Sequence, residues 1–345
     1  MLHRFTTSIS DIPLPERFTY PFCYTPHPLC VMAAEEVQNY LSKQSDWQEE
    51  LSQGKMFGVL IVQTEDGSIG YLTAFSGILA GKNIHPYFVP PVYDLLQPQG
   101  FFKIEEENIS TINRRICRLE EDKKYIDLLS DLTQTTQSAQ DALSIAKTQL
   151  KEAKEKRELL RKTGQLDAKE EADLIRESQF QKAEYKRLER SWKDKIASLQ
   201  VEAGNWEKQI QELKAERKVR SAALQQQLFE QFRMLNYRGE VITLCDIFEQ
   251  TVHKTPPAGA GECAAPKLLQ QAYLHHWKPI AMAEFWWGNS PKNEVRHHGY
   301  YYPACKGKCE PILRHMLQGL EVEANPMQQE AERGNEKLNI VYEDQ

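Results

Sequence analysis

The alternation of polar and apolar positions divides the chain into three stretches. Near the start, CVMAAEEVQNYLSKQ repeats its apolar residues at helical spacing, and KMFGVLIVQTEDGSIGYLTAFSG follows as two β-rich runs parted by Glu65-Asp66-Gly67-Ser68. Asp-Gly between two such runs predicts a tight hairpin, because glycine accepts the positive φ that a short turn demands. Beyond residue 232 the patterning returns to short elements. EVITLCDIFEQ reads as a β or mixed segment, GECAAPKLLQQAYLHH as helix, KPIAMAEFWWG as an apolar strand and PACKGKCEPILRHMLQGL as a further helix.

The middle stretch is different in kind. All 17 prolines lie before residue 99 or after residue 255, and Phe101 to Glu230 holds only two glycines, Gly164 and Gly204. The same stretch has 26 Lys+Arg against 25 Asp+Glu. Proline breaks helices and balanced charge solvates them, so the stretch predicts very long helix. Ala139, Leu143, Ala146, Leu150 and Ala153 step by four and three, which is a heptad seam. Tyr185, Leu188, Trp192, Leu199, Trp206, Ile210 and Leu213 continue a similar rhythm with gaps. In KTGQLDAKEE between them, Gly164 can end one helix and Asp167 can cap the next. Two matched arms of about 55–60 residues, each about 80–90 Å long, predict an antiparallel coiled-coil hairpin. A parallel coiled-coil dimer is the alternative.

These readings combine into an α/β (or α+β) module interrupted by a long helical hairpin. Residues 1–104 form its first part, 105–232 the coiled-coil insertion and 233–320 its second part. Residues 321–345 are then a linker, EVEANPMQQEAERGNEK, and the start of something further. A hairpin is tolerated inside a loop because it returns the chain to where it left.

Composition narrows the setting. Net charge is -6, so contact with nucleic acid would rest on local patches. No apolar run reaches about 18 residues, so no membrane span is expected, and MLHRFTTSIS lacks the apolar core of a secretory signal. Seven cysteines, an odd number spread over a long chain, favour reduced thiols in a cytoplasmic protein.

Two groups of residues offer chemistry. Cys263 opens one expected helix, and Cys305 and Cys309 lie in the first turns of another, where positions i and i+4 share a face. Zinc takes four thiolate or imidazole ligands, and Cys263, Cys305, Cys309 and His297, or its neighbour His298, would complete a set. Helix N-termini also lower a thiol's pKa, which favours metal binding. Three reduced thiols that simply pack are the plainer alternative. The second group is HHGYYYPACKGK with Arg296 before it. Arg296, His298, Tyr301, Lys306 and Lys308 could stack on and pair with single-stranded RNA, and an aromatic-rich surface turn is the alternative. The sequence has no P-loop, no GxGxxG and no Ser-His-Asp signature.

The cysteine pattern resembles that of the zinc-dependent nucleobase deaminases, with His/Cys-x-Glu on one helix and Pro-Cys-x-x-Cys on the next. It departs from that pattern at three points. Ala265 stands where the proton-moving glutamate would be, Pro303-Ala304-Cys305 has one residue more, and Cys305 to Cys309 is one residue longer. The resemblance therefore implies a deaminase-like layout in which Glu262 or Glu284 could substitute only if the backbone re-aims it. PPAGAGECAAPKLLQQAYLHHWKPIAMAEFWWGNSP, HGYYYPACKGKCEPILRHMLQGL and the ending LNIVYEDQ resemble a second family. They look like the long region that precedes the catalytic domain of some bacterial RluA-type RNA pseudouridine synthases.

That likeness implies an accessory region that positions ribosomal or transfer RNA, with its own catalytic domain beyond Gln345. The catalytic Arg-Leu-Asp motif of that family does not occur here. On this reading no cofactor is required, and zinc is the one the cysteines could take. Two other readings stay open: a zinc enzyme of the deaminase class, and a scaffold whose coiled coil binds a protein partner.

Overall fold

The structure, a computed structural model, describes residues 2–328 except 165, 253 and 293. The ending LNIVYEDQ and most of the charged linker before it lie outside the described residues. The chain forms two compact units: residues up to 104 together with those from 223 onward, and residues 105–222.

In chain order the elements are α1 (Pro28–Ser42), α2 (Gln48–Ser52), β1 (Lys55–Gln63), β2 (Ile69–Phe75), α3 (Phe101–Glu120), α4 (Lys123–Thr163) and α5 (Ala168–Gln231). Then follow β3 (Arg233–Leu235), β4 (Val241–Thr243), α6 (Leu244–Glu249), α7 (Ala264–Leu274), β5 (Lys278–Trp287), β6 (Tyr301–Tyr302) and α8 (Cys309–Met316). The fold is mixed helix and sheet. No helix among the described residues is long and apolar enough to cross a membrane.

The first unit is built on a four-stranded sheet of order β2-β1-β5-β6, with every neighbouring pair antiparallel. The β1–β2 connection is the hairpin expected at Asp66-Gly67, where Gly67 has φ +81°. Strand side chains alternate, so each strand feeds two layers. Phe57, Val59 and Ile61 of β1 and Ala281, Ala283 and Phe285 of β5 pack with Leu29, Ala33, Val37 and Leu41 of α1. Leu60 and Val62 of β1 and Met282 of β5 face the other way, with Leu268 and Leu269 of α7 and Ile312 and Leu313 of α8. Apolar layers on both sides explain why the strands are nearly continuous hydrophobic runs in the sequence. A small β3–β4 ribbon borders the second layer, and the Thr243–Asp246 capping box starts α6 directly after it.

Two details of the sheet place the chemistry. Gly58 lies on β1 opposite Glu284 of β5, and a Cβ there would come within 3.0 Å of Ala264 Cβ and 3.1 Å of Leu268 Cδ1. Its missing side chain is what lets the first turn of α7 press against the sheet. Gly58→Val is therefore expected to lower stability by about 1–3 kcal/mol through overpacking, measured by urea denaturation; an unchanged midpoint would show that α7 can retreat without loss. Secondly, β6 has two residues and leaves β5 partly unpaired on that side. The N-terminal segment supplies the missing acceptors: Met282 N–H donates to Thr19 Oγ1 at 3.2 Å and Glu284 N–H to the Tyr24 hydroxyl at 2.9 Å.

In the second unit α5 runs back along α4 and α3. Arg161 pairs with Glu171, Arg157 with Gln181, Lys214 with Glu120 and Arg220 with Glu105, while Tyr125 stacks on Trp206. The gaps in the expected seam of α5 are filled by Ile196 and Ala203, and the less exposed positions 192, 196, 199, 203, 206 and 210 alternate steps of four and three. Gly164 closes α4, and the Asp167 carboxylate accepts from the Lys169 and Glu170 N–H groups at the start of α5, as the sequence predicts. The first arm is not one helix, however. Asp122 Oδ1 accepts from Lys124 N–H at 2.8 Å and starts α4 afresh, separating it from α3.

Candidate metal centre

Three cysteines from separate segments meet beside the sheet. Cys263 is the N-cap residue of α7, and Cys309 is the first residue of α8. Cys305 lies in the turn ahead of α8, not within it, which corrects the expectation of two thiols on one helical face. The turn itself joins them: Cys309 and Glu310 both donate their N–H to the Cys305 carbonyl at 3.2 Å. The three Sγ atoms lie within 4.8 Å of one another, a set that can bind a metal ion. Cys309 is buried, Cys263 half-buried and Cys305 exposed, so the cluster meets solvent on one side.

The thiols share their protons unevenly. Cys305 is held well below the ordinary thiol range, first by hydrogen bonds from the Cys263 and Cys309 side chains and then by the backbone N–H groups of Lys308 and Cys309. Cys263 is pushed up to about 12, chiefly by its hydrogen bond to Cys305. Cys309 is raised by its hydrogen bonds to Cys263 and Cys305 and by burial. Three thiols gathered within 4.8 Å are an arrangement that a cation can enter by displacing their protons.

His297 lies outside this set. It is exposed, its ring rests against Tyr300, and its N–H donates to the Tyr302 hydroxyl at 2.6 Å. His298 is occupied too, with Nδ1 accepting from Gly288 N–H at 3.0 Å and its ring tilted against Trp287. No family model, no curated protein and no solved structure matches this chain.

A carboxylate that the sequence left in doubt lies beside the first turn of α7, next to the cysteines but outside their cluster. Glu284, 3% exposed, lies on the same strand face as Met282 and points into the α7–α8 layer. Its Oε1 accepts from the N–H of Ala265 at 3.2 Å. Burial pushes its carboxyl up to about 7; the Ala265 N–H opposes this, the Cys305 charge adds to it, and the Arg296 guanidinium counters it. The Glu284 charge in turn raises both Cys263 and Cys309. Glu262 is spent elsewhere: its carbonyl accepts from Gly77 N–H, and its carboxylate sits by Gly259 near Lys308.

The other four residues expected at RNA are unequally placed, and Tyr301 faces the α1 layer, across the sheet from the cysteines. Arg296 lies over the rings of Trp286 and Tyr302 and is paired with Glu294, so only part of it faces outward. Tyr301 packs on Phe285. Lys306 is exposed and Lys308 half-buried, on either side of Gly307 in the turn between Cys305 and Cys309. Lys306 also borders a groove of about 830 Å³ with Glu310 and Arg314.

Lys267, one turn along α7 from Cys263, was not singled out from the sequence. It is 2% exposed, and its Nζ donates to the carbonyls of Phe75 and Gly77 at 2.9 and 3.2 Å. Together with the Gly77 N–H to Glu262 bond, it ties the exit of β2 to the start of α7. Burial lowers its ammonium to about 8.

Proposed function

We propose that the first unit is a zinc-holding module of deaminase-like layout that serves as the RNA-engaging accessory part of an RNA pseudouridine synthase. The observation that carries the zinc reading is the convergence of three sulfurs within 4.8 Å at the starts of two helices. Bonds of about 2.3 Å at tetrahedral angles put sulfurs about 3.8 Å apart, so the set closes on zinc with shifts of about an ångström or less. Three protein ligands leave the fourth position open, the pattern of catalytic rather than closed structural zinc. Zinc bound here lends Lewis acidity to whatever fills that position.

The chain's own residues set the rest. Cys263 and Cys309 bring the positive ends of two helices to the sulfurs, and Cys305 is exposed at the head of the turn that carries Lys306 and Lys308. The strand order β2-β1-β5 with flanking cysteine-bearing helices supports the deaminase-like layout. The alternating stripe along α5 and its reciprocal ion pairs with α3 and α4 support an antiparallel coiled coil.

The RNA reading rests on the resemblance of the sequence and on Lys306 and Lys308 beside the open site. Structured ribosomal or transfer RNA is expected to bind with an affinity that falls as salt rises from about 50 to 200 mM. Reversing both lysines to glutamate should weaken binding at low salt and leave zinc content unchanged. Salt-independent binding, or none, would remove RNA from the proposal and leave the metal module.

A further inference from the structure

We infer that Glu284 supplies, from the strand, the carboxylate that Ala265 lacks on the helix: it accepts a hydrogen bond from the molecule in the fourth coordination position without ligating the metal. The inference rests on reading the three cysteines as a metal site. Its geometry is specific. In the pattern the sequence resembles, the glutamate would rise from the first turn of the helix that bears the first ligand, two residues beyond it. Here that residue is Ala265, and the Ala265 N–H is the group that receives the Glu284 carboxylate, at 3.2 Å. The same turn of backbone therefore has a carboxylate beside it, delivered by β5 instead of α7.

Three features hold Glu284 there. Gly58, its partner across the β1–β5 ladder, gives up its side chain so that Ala264 and Leu268 of α7 can approach the strand. Tyr24 fixes the backbone at Glu284 by accepting its N–H, and donates its own hydroxyl hydrogen to the Tyr302 carbonyl at 2.9 Å. Arg296, seated on Trp286 and Tyr302, faces the carboxylate with positive charge. An ionised carboxylate can accept about four hydrogen bonds, so the Ala265 N–H leaves most of its capacity for a guest.

Glu284 is not itself a ligand on this geometry. The ligand-capable atoms that lie within 4.8 Å of one another are the three sulfurs, and the carboxylate is not among them. It belongs one layer out, where it can orient a guest by its hydrogens. The ligand class that suits this position is neutral and carries N–H or O–H hydrogens: water, an amine or an amide. An anion would meet the carboxylate's charge, and entry lies on the exposed Cys305 side.

The test uses the full chain loaded with cobalt(II), whose visible spectrum reports thiolate ligation and any change in the fourth ligand. Glu284→Gln keeps the shape and removes the charge, and azide, offered at about pH 8.5 where the Glu284 carboxyl is ionised, serves as a small anionic probe. Cobalt affinity should stay within about threefold of the unsubstituted protein, because no ligand is lost, while azide should bind about tenfold more tightly. Loss of cobalt affinity by about 100-fold would make Glu284 a ligand, and unchanged azide binding would turn it away from the site; either overturns the inference. Should Glu284→Gln not fold, Glu284→Ala carries the same two readouts. Failure of the unsubstituted protein to take up cobalt would sink the metal reading itself, a result distinct from a bound metal whose guest ignores Glu284.

Discussion

Cys309→Ser is expected to abolish the proposed zinc binding, lowering affinity by at least about a thousandfold, and with it the stabilisation that a bound metal would supply to the folded state. Cys309 is the buried member of the trio and the first residue of α8, so its sulfur is the one fixed by both packing and helix position. A ligand that binds only the folded state stabilises by about 4 kcal/mol when present at a thousand times its dissociation constant. Chelation of the unsubstituted protein should therefore lower its unfolding midpoint in denaturant, whereas chelation of Cys309→Ser should not move it. Metal content by mass spectrometry completes the test. Equal zinc in both proteins would mean that Cys309 is only a packing thiol.

The second large effect concerns pH. Lys267 is charged in both folded and unfolded protein below about pH 8, and there the folded state bears the full burden of burying an ammonium group. Above that pH the folded state sheds the proton, while the unfolded chain keeps it until about 10.5. Folded protein then binds fewer protons than unfolded, so stability rises with pH across this window. At 1.36 kcal/mol for each pH unit between about 8 and 10.5, the gain is about 3 kcal/mol. Cys30, Cys263 and Cys309, raised above the ordinary thiol value of 9, pull the other way within this window, and Tyr24 and Tyr273, raised by burial, join them above about pH 10. The informative quantity is therefore the difference from Lys267→Met, in which the rise should vanish and the cysteine and tyrosine effects remain. Parallel stability–pH curves for the two proteins would refute the assignment.

Much of this architecture was legible because its signals are local. Absence of proline, together with the 3–4 spacing of Ala139 to Ala153, marks the long helices, and Gly164 with Asp167 marks where they part. Asp66-Gly67 marks the hairpin, and the apolar run Pro279 to Trp287 marks β5. The break at Asp122 escaped because the same residue type is common on solvated helix faces, and only its bond to Lys124 makes it a cap. The cysteines were found by type and spacing. Their geometry was not, since the 305–309 segment is a turn that helical periodicity cannot describe.

Glu284 shows a different limit. Its strand parity with Met282 was readable, but which face carries α7 was not, because that depends on pairings between residues far apart in sequence. His297 and His298 lie close to the cysteines along the chain, and that closeness does not bring either ring to the sulfurs.

The pairing of β1 with β5 joins Val59 to Ala283 across 224 residues, and the whole of the second unit lies within that interval. In chain statistics the entropy of closing a loop grows only with the logarithm of its length, and each doubling costs about 0.6 kcal/mol. Without residues 105–222 the same pairing would close over roughly half the length. Hosting the helical unit thus burdens the sheet by less than a typical hydrogen bond contributes. Its helices are stitched by near neighbours around the turn at Gly164, as in Arg161 with Glu171, so they can zip from that turn before the strands meet. The inserted length is then already withdrawn from the search by which β1 finds β5.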